Sequence, residues 1–396
     1  MSRLDTRGHP DTLAAETAKI LAISRVAHEG GAERILLNAA EAARCDGLRP
    51  LLAIPGKGAL AAAAAERGLP VRHIPISRGR ATVTPWGIAG TMQAMRRGGR
   101  ELLAMARQER VALLHAHHPV TGVQALPATK HLGLPLLLHV HETLPAPLLY
   151  RLLARRLRRH AAAWVCVSEA SRAMVRSFGV EENRISLLYN AVQSRFLADP
   201  VPALELRGAG PHVGLFGVLE PRKGHADFLR ALALLRDEPM VQAWIVGDAG
   251  FGEHRRYADG LMRLAGELGL TPRVHLTGRR EDVPAMMAGM DAVVLASTGF
   301  ESLPTALIEA CVIGRPVVAT DVGGVREIVT AGVTGLVVPP GNPAALATAL
   351  HCALSPLGRE LAAAARVEAR RRFAPDRFAS EMAACYRALL ASAIAA

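Results

Sequence analysis

Residues Asp291 to Thr320 read DAVVLASTGFESLPTALIEACVIGRPVVAT, which in order is a strand, a loop, a helix and a second strand. The short apolar runs Ala292 to Ala296 and Pro316 to Thr320 flank a helical stretch, the pattern of buried strands in a parallel sheet. Glu301 then falls in the loop beyond the carboxyl end of a strand, where open α/β sheets bind ligands. Ser302 is expected to cap the following helix. Pro304 is expected in its first turn, because the N–H that proline lacks would have had no intrahelical partner there. The helix should therefore start directly after Glu301.

A helix start offers unpaired backbone N–H groups and a partial positive charge, so the amides of Leu303, Thr305 and Ala306 suit a diphosphate. Glu309 follows Glu301 by eight residues. That is about 12 Å at 1.5 Å per residue if the whole stretch is helical, similar to the span from sugar to ribose across a diphosphate. Carboxylates accept well from the paired hydroxyls of a ribose or a hexose. Spacing alone leaves equally open a plain helix start flanked by two solvated acids.

The same alternation runs outward in both directions. Towards the N-terminus lie ILAIS from Ile20, a glycine-containing turn from His28 to Gly31, and a helical pattern carrying Ile35, Leu36 and Ala39. Strands are expected at Leu51 to Ile54, Val71 to Ile76, Val111 to His115 and Leu134 to Val140. A second series comprises His212 to Phe216, Val241 to Val246, Val274 to Leu276 and Gly335 to Val338, besides the two runs quoted first. Strands alternating with helices mean parallel sheets covered on both faces. Between the series, DPVPALELRGAGP (Asp199 to Pro211) carries no periodicity and reads as a linker. The expected organisation is a polar, disordered lead (1–17), a first domain (18–198), the linker (199–211), a second domain (212–374) and a C-terminal helix (375–396). That last helix has Phe378, Met382, Tyr386 and Leu390 on one stripe, which must pack on something.

Composition narrows the class. At 396 residues, half of them apolar and 21% charged, the chain suits two globular domains. No apolar run is long enough to span a bilayer, and the N-terminus lacks the apolar core of a secretory signal. Five separated cysteines without zinc spacing read as buried, reduced thiols, which fits a cytoplasmic setting. The net charge of +12 calls for an anionic partner. With aromatics at 4% and no zinc-finger or RNP motif, nucleic acid is not the expected one. Gly247-Asp248-Ala249-Gly250 is neither a dinucleotide G-x-G-x-x-G nor a P-loop, against a dehydrogenase.

Glu301 to Glu309, followed by Gly314-Arg315-Pro316-Val317-Val318-Ala319-Thr320 and Asp321-Val322-Gly323-Gly324, closely resembles the signature of the family-4 glycosyltransferases of the GT-B fold. The resemblance implies an α/β protein of two Rossmann-like, doubly wound parallel-sheet domains facing a central cleft, and retaining transfer from a nucleotide sugar. It implies that Glu301 contacts donor-sugar hydroxyls and Glu309 the ribose. Gly30-Gly31 resembles the family's glycine loop after the first strand. His141, in His139-Val140-His141-Glu142, matches the histidine that reaches towards the transferred sugar, while His115 and His131 take no role. Ser168-Glu169 and Asn190-Ala191-Val192 resemble two closing elements of the first domain, with Ala191 and Gln193 where glycine and aspartate are usual.

Gly217 to Gly224 (GVLEPRKG) resembles the phosphate-binding segment. Lys223 fits its lysine, Val218 stands in place of its arginine, and Arg222 offers a cation from the other side of the loop. Gly278-Arg279-Arg280 resembles the stretch that meets the base, so Arg279 joins the donor-binding set with Leu303 and Thr305. Asp282 is expected to cap a helix.

No D-x-D triplet occurs, so the expectation is no metal and no cofactor, with Arg222, Lys223 and a helix start in the place of a cation. The expected partners are a UDP- or GDP-linked sugar and a saccharide or lipid-linked acceptor. Arg151, Arg155, Arg156, Arg158, Arg159 and His160, with Arg96, Arg97 and Arg100, add an anionic membrane surface as an open alternative to a solvated face. Surface polysaccharide, lipopolysaccharide or glycolipid synthesis in the cytoplasm, or at the inner face of the plasma membrane, is the setting implied. The rivals are a non-catalytic partner subunit and a nucleotide-sugar epimerase or hydrolase on the same fold.

Overall fold

The computed structural model describes residues 18–76, 85–141, 147–235, 240–248 and 253–394. The lead expected to be disordered (1–17), Glu142, Ala249 and Gly250 lie outside them, as do the side chains of Leu148, Leu149 and Arg151. The chain forms two compact units, Met1–Ala191 with Asp376–Ala396, and Val192–Pro375. The division thus falls ahead of the Asp199 to Pro211 stretch, which belongs to the second unit.

In the first unit seven strands pair in parallel: β1 (Lys19–Ile23), β2 (Arg49–Ile54), β3 (Val71–His73), β4 (Val111–Ala116), β5 (Leu136–Val140), β6 (Ala163–Cys166) and β7 (Ile185–Leu187). Their order is β3-β2-β1-β4-β5-β6-β7, so the sheet reverses direction of build between β1 and β4. Alternation along the strands sends Leu21, Leu114 and Leu138 into one core and Ile20, Leu113 and Leu137 into another. Phe378, Met382, Tyr386 and Leu390 of the helix Pro375–Ile394 close the second of these cores, all nearly without exposure. The terminal stripe is therefore the cover of the first unit's sheet.

Neither β6 nor β7 was expected from sequence. Each is short, AWVC and ISL, and β7 carries a polar residue at its centre.

The second unit holds six parallel strands: β8 (His212–Phe216), β9 (Gln242–Val246), β10 (Val274–Gly278), β11 (Ala292–Leu295), β12 (Val317–Thr320) and β13 (Leu336–Val338). The order β10-β9-β8-β11-β12-β13 places the reversal between β8 and β11. A crevice opens beyond strand carboxyl ends at such a reversal, because the connections on either side depart towards opposite faces. The loops after β8 and β11 are those that carry Lys223 and Glu301.

The five cysteines are free thiols. Cys166 and Cys311 are buried, and burial pushes each thiol up to about 12. Cys45 corrects the expectation of uniform burial. It ends the helix Gly31–Cys45 and is exposed.

Candidate functional site

The quoted stretch folds as strand, loop, helix, strand, but its helix begins later than expected. It spans Thr305–Ile313, with Pro304 at the N-cap position and no side-chain cap. The residue before a proline is disfavoured in the α region, which holds Leu303 out of the helix. Ser302 is buried and its hydroxyl has no partner among the described residues. Only Thr305 to Glu309 is helical, a rise of about 6 Å at 1.5 Å per residue, so the full helical span drawn from Glu301 does not apply. The N–H groups of Thr305 and Ala306 precede the first turn's bond, Leu307 N–H to Pro304 O at 3.1 Å.

Glu301 is nearly buried and is the centre of the constellation. Its Oε1 accepts from Lys223 Nζ at 2.7 Å, from Ser297 Oγ at 2.7 Å and from Arg222 Nη1 at 3.3 Å. Arg222 also donates through Nε to Glu220 at 2.7 Å. The loops are tied by backbone as well: Thr298 N–H donates to Arg222 O at 2.8 Å. Gly224 has φ +71°, and a Cβ there would lie 1.8 Å from Ala296 O, so only glycine lets the loop after β8 sit this close to the end of β11. Gly323 does the same on the other side. Its φ is +53°, a Cβ would lie 1.9 Å from Glu301 O, and Gly324 N–H donates to that oxygen at 2.8 Å.

Ser297 and Thr320 were missed from sequence. Thr320 donates to Ser297 O at 2.6 Å and so braces the serine that donates to Glu301. Their only sequence signal was a small hydroxyl residue at or just past a strand end.

Glu309 is buried within its helix, and Leu303 is buried beside the helix start. Arg279 is exposed directly after β10, and Gly247 N–H donates to Gly278 O at 3.1 Å, which joins the loop after β9 to the end of β10. Asp282 does stand at an N-cap position, of the helix Val283–Ala288, but its carboxylate receives Arg280 at 2.8 and 2.5 Å instead of the helix amides. The capping expectation is corrected: the guanidinium competes for the same oxygens. Val218 is exposed.

In the first unit Gly30 is the N-cap of the helix Gly31–Cys45, in extended backbone, and its N–H donates to Glu33 at 3.2 Å. His141 is half-buried just past β5, and its Nε2 lies 3.0 Å from His117 Nδ1. Two His-x-His triplets, His115-Ala116-His117 and His139-Val140-His141, end the neighbouring strands β4 and β5. Alternation puts all four rings on one face, with centroids of adjacent rings 4.1 to 5.4 Å apart. His115, left without a role from sequence, pairs through Nδ1 with Tyr386 Oη at 2.7 Å. Burial first, and the neighbouring histidines next, hold His117 and His139 well below the usual histidine value. One ring nitrogen each from His115, His117 and His139 lies within 4.8 Å of the others, a looser set than the roughly 3.3 Å between ligands about 2.0 Å from a tetrahedral zinc ion.

The sequence pattern of the Glycosyltransferase Family 4 domain matches residues 29–195, and that of the Glycosyl transferases group 1 domain matches residues 210–355. The alpha-D-kanosaminyltransferase of Streptomyces kanamyceticus is 30% identical over 270 residues, 62% of this chain and 68% of its own length. The lipopolysaccharide core biosynthesis mannosyltransferase LpsB of Rhizobium meliloti is 33% identical over 193 residues, 48% of this chain and 54% of its own. Among solved structures, Anabaena Alr3699/HepE in complex with UDP-glucose matches with a TM-score of 0.79 at 26% identity, over 93% of this chain and 99% of that one. With two Rossmann-like parallel-sheet units and these matches along its length, the chain belongs to the family-4 glycosyltransferases of GT-B fold and is a glycosyltransferase.

Proposed function

We propose that the second unit binds a nucleoside-diphosphate sugar at the carboxyl ends of β8 and β11, and that its sugar passes to an acceptor hydroxyl with retained configuration and without a metal ion. The observation that carries this reading is the convergence of Lys223 and Arg222 on Glu301. Lys223 has three N–H donors and uses one on Glu301, and Arg222 uses two of its five, so both keep donors for a diphosphate while still orienting the carboxylate. These cations and the N–H groups of Thr305 and Ala306 would stabilise the charge that grows on the diphosphate as the glycosidic bond breaks.

Glu301 would then accept from sugar hydroxyls and Glu309 from the ribose, with Leu303 lining the helix start and Arg279 serving the base. Gly30, Gly31 and His141 are the first unit's contribution to the sugar and acceptor. The leaving diphosphate would take up the acceptor's proton. The complex of Alr3699/HepE with UDP-glucose supports a nucleotide-sugar donor, and the name of LpsB supports a saccharide acceptor of lipopolysaccharide type.

Among the described residues no helix is long and apolar enough to cross a membrane. The helix Pro147–Arg158 and the residue after it expose Leu152, Arg155, Arg156 and Arg159, and Arg96, Arg97 and Arg100 are exposed on the helix Pro85–Gln108. These exposed cations support docking on anionic lipid at the cytoplasmic side, where a lipid-linked acceptor would be found.

A thermal-shift panel of UDP-, GDP- and ADP-sugars tests the reading, followed by product analysis with the best binder and a saccharide acceptor. One donor should raise the melting temperature, and the product should keep the donor's anomeric configuration at a rate indifferent to added Mg²⁺ or Mn²⁺. No donor-induced shift would favour a non-catalytic partner subunit; turnover of donor that ignores the acceptor would favour an epimerase or hydrolase.

A further inference from the structure

We infer that His117 is a positioning residue for His141: it donates its Nδ1–H to His141 Nε2 and thereby keeps the proton of His141 on Nδ1. The two nitrogens are 3.0 Å apart, and the rings lie 15° from parallel. A bond between two imidazoles needs one donor and one acceptor, so the pair holds a definite proton arrangement.

His117 decides which. It is buried at the end of β4, its charged form is disfavoured by that burial, and it therefore carries one proton for two nitrogens. Its Nε2 has no partner among the described residues. A proton on Nε2 would be a buried N–H without an acceptor, a rarer and costlier state than an unfilled lone pair. The proton goes to Nδ1, the nitrogen that faces His141. One step deeper, His115 meets Tyr386 Oη through Nδ1 at 2.7 Å. The terminal helix, through Tyr386, anchors one end of a histidine row whose other end is His141.

His141 then carries its proton on Nδ1, and its Nε2 is not available as a base. It acts as a hydrogen-bond donor of fixed orientation. Only that catalytic consequence rests on the reading of His141 as a sugar contact. The tautomer does not.

The test is a long-range ¹H–¹⁵N correlation spectrum of the histidine rings in the full-length protein, with His141 assigned by its loss in His141→Ala. His141 should show a protonated Nδ1 and an unprotonated Nε2. His117→Leu should abolish that preference, and His117→Gln, which supplies an amide N–H, should restore it. In the same variants the turnover number should fall by roughly 10- to 100-fold for leucine and recover for glutamine, with donor KM little changed. A His141 protonated on Nε2 in the unaltered protein would overturn the inference, and that spectrum decides even if His117→Leu does not fold. An unchanged tautomer in folded His117→Leu would overturn it equally. A lost tautomer with unchanged turnover would leave the inference standing and remove His141 from the sugar-transfer reading.

Discussion

The Nζ of Lys223 lies 2.7 Å from Oε1 of Glu301, although 78 residues separate them in the chain. The contact is made because β8 and β11 are neighbours and the loops leaving them are locked together at Gly224 and Ala296. Both side chains are largely shielded from water, so their attraction is screened less than that of a surface pair. Lys223→Met should lower the sugar-transfer rate by about 10²-fold, the usual cost of removing one donor from a developing anion. Lys223→Arg should recover only part of it, since a planar fork cannot replace a point ammonium at one oxygen. A rate in Lys223→Met within a few-fold of the original would refute the role.

Glu309→Gln keeps the volume and removes the charge in a buried helical position. If Glu309 accepts from a ribose, nucleotide affinity should drop by roughly tenfold, in line with about 1.5 kcal/mol for a hydrogen bond to a charged group. Calorimetric titration of the free nucleotide checks this, and equal affinities would sink the assignment.

Two glycine substitutions should behave oppositely. Gly323→Ala adds a Cβ 1.9 Å from Glu301 O at a φ of +53°. Backbone cannot yield cheaply, so the melting temperature should fall by about 4 °C or more, and the rate with it. Gly30→Ala meets only the flexible end of Glu33, at 2.8 Å, in backbone that any residue adopts. Its melting temperature should stay within about 1 °C, and the loss should appear in KM for the sugar substrates. Thermal unfolding and steady-state kinetics on both variants separate the two cases.

His225 gives a pH dependence of known sign. Burial first, and Lys223 beside it, lower its pKa to about 4. Between the ordinary value of 6.5 and 4 the unfolded chain binds a proton that the native imidazole refuses. Stability from this group is fully present above about pH 6.5 and is lost as pH falls towards 4, by at most about 3 kcal/mol. His225→Phe keeps an aromatic ring on Tyr257, whose centroid is 5.8 Å away, and removes the titration. Its melting temperature should fall less steeply than that of the unaltered protein over this interval. Parallel curves would show that His225 is not buried neutral.

Much of the fold was legible because buried parallel strands are short apolar runs and helices separate them. The runs at Ala292 and Pro316 needed nothing beyond local pattern. Strands β6 and β7 were not legible, since four and three residues give too few positions for any period to appear. The helix start was misplaced because Ser302 and Pro304 look like a cap and a first turn. The proline's restriction on Leu303 and the bond from Gly324 to Glu301 O keep this stretch out of the helix instead.

The candidate site divides in the same way. Sequence by itself determined that Glu301 and Glu309 bracket a strand–loop–helix junction, that Lys223 and Arg222 follow a strand, and that His141 ends one. Each of these is a local fact, set by hydrophobic period and turn residues. Only tertiary structure decided that the cations reach Glu301, that Ser297 and Thr320 brace it, and that His117 and Tyr386 stand behind His141. Those relations depend on which strands are neighbours, and strand order follows from burying both faces of a sheet at once, a condition that no single stretch of chain contains.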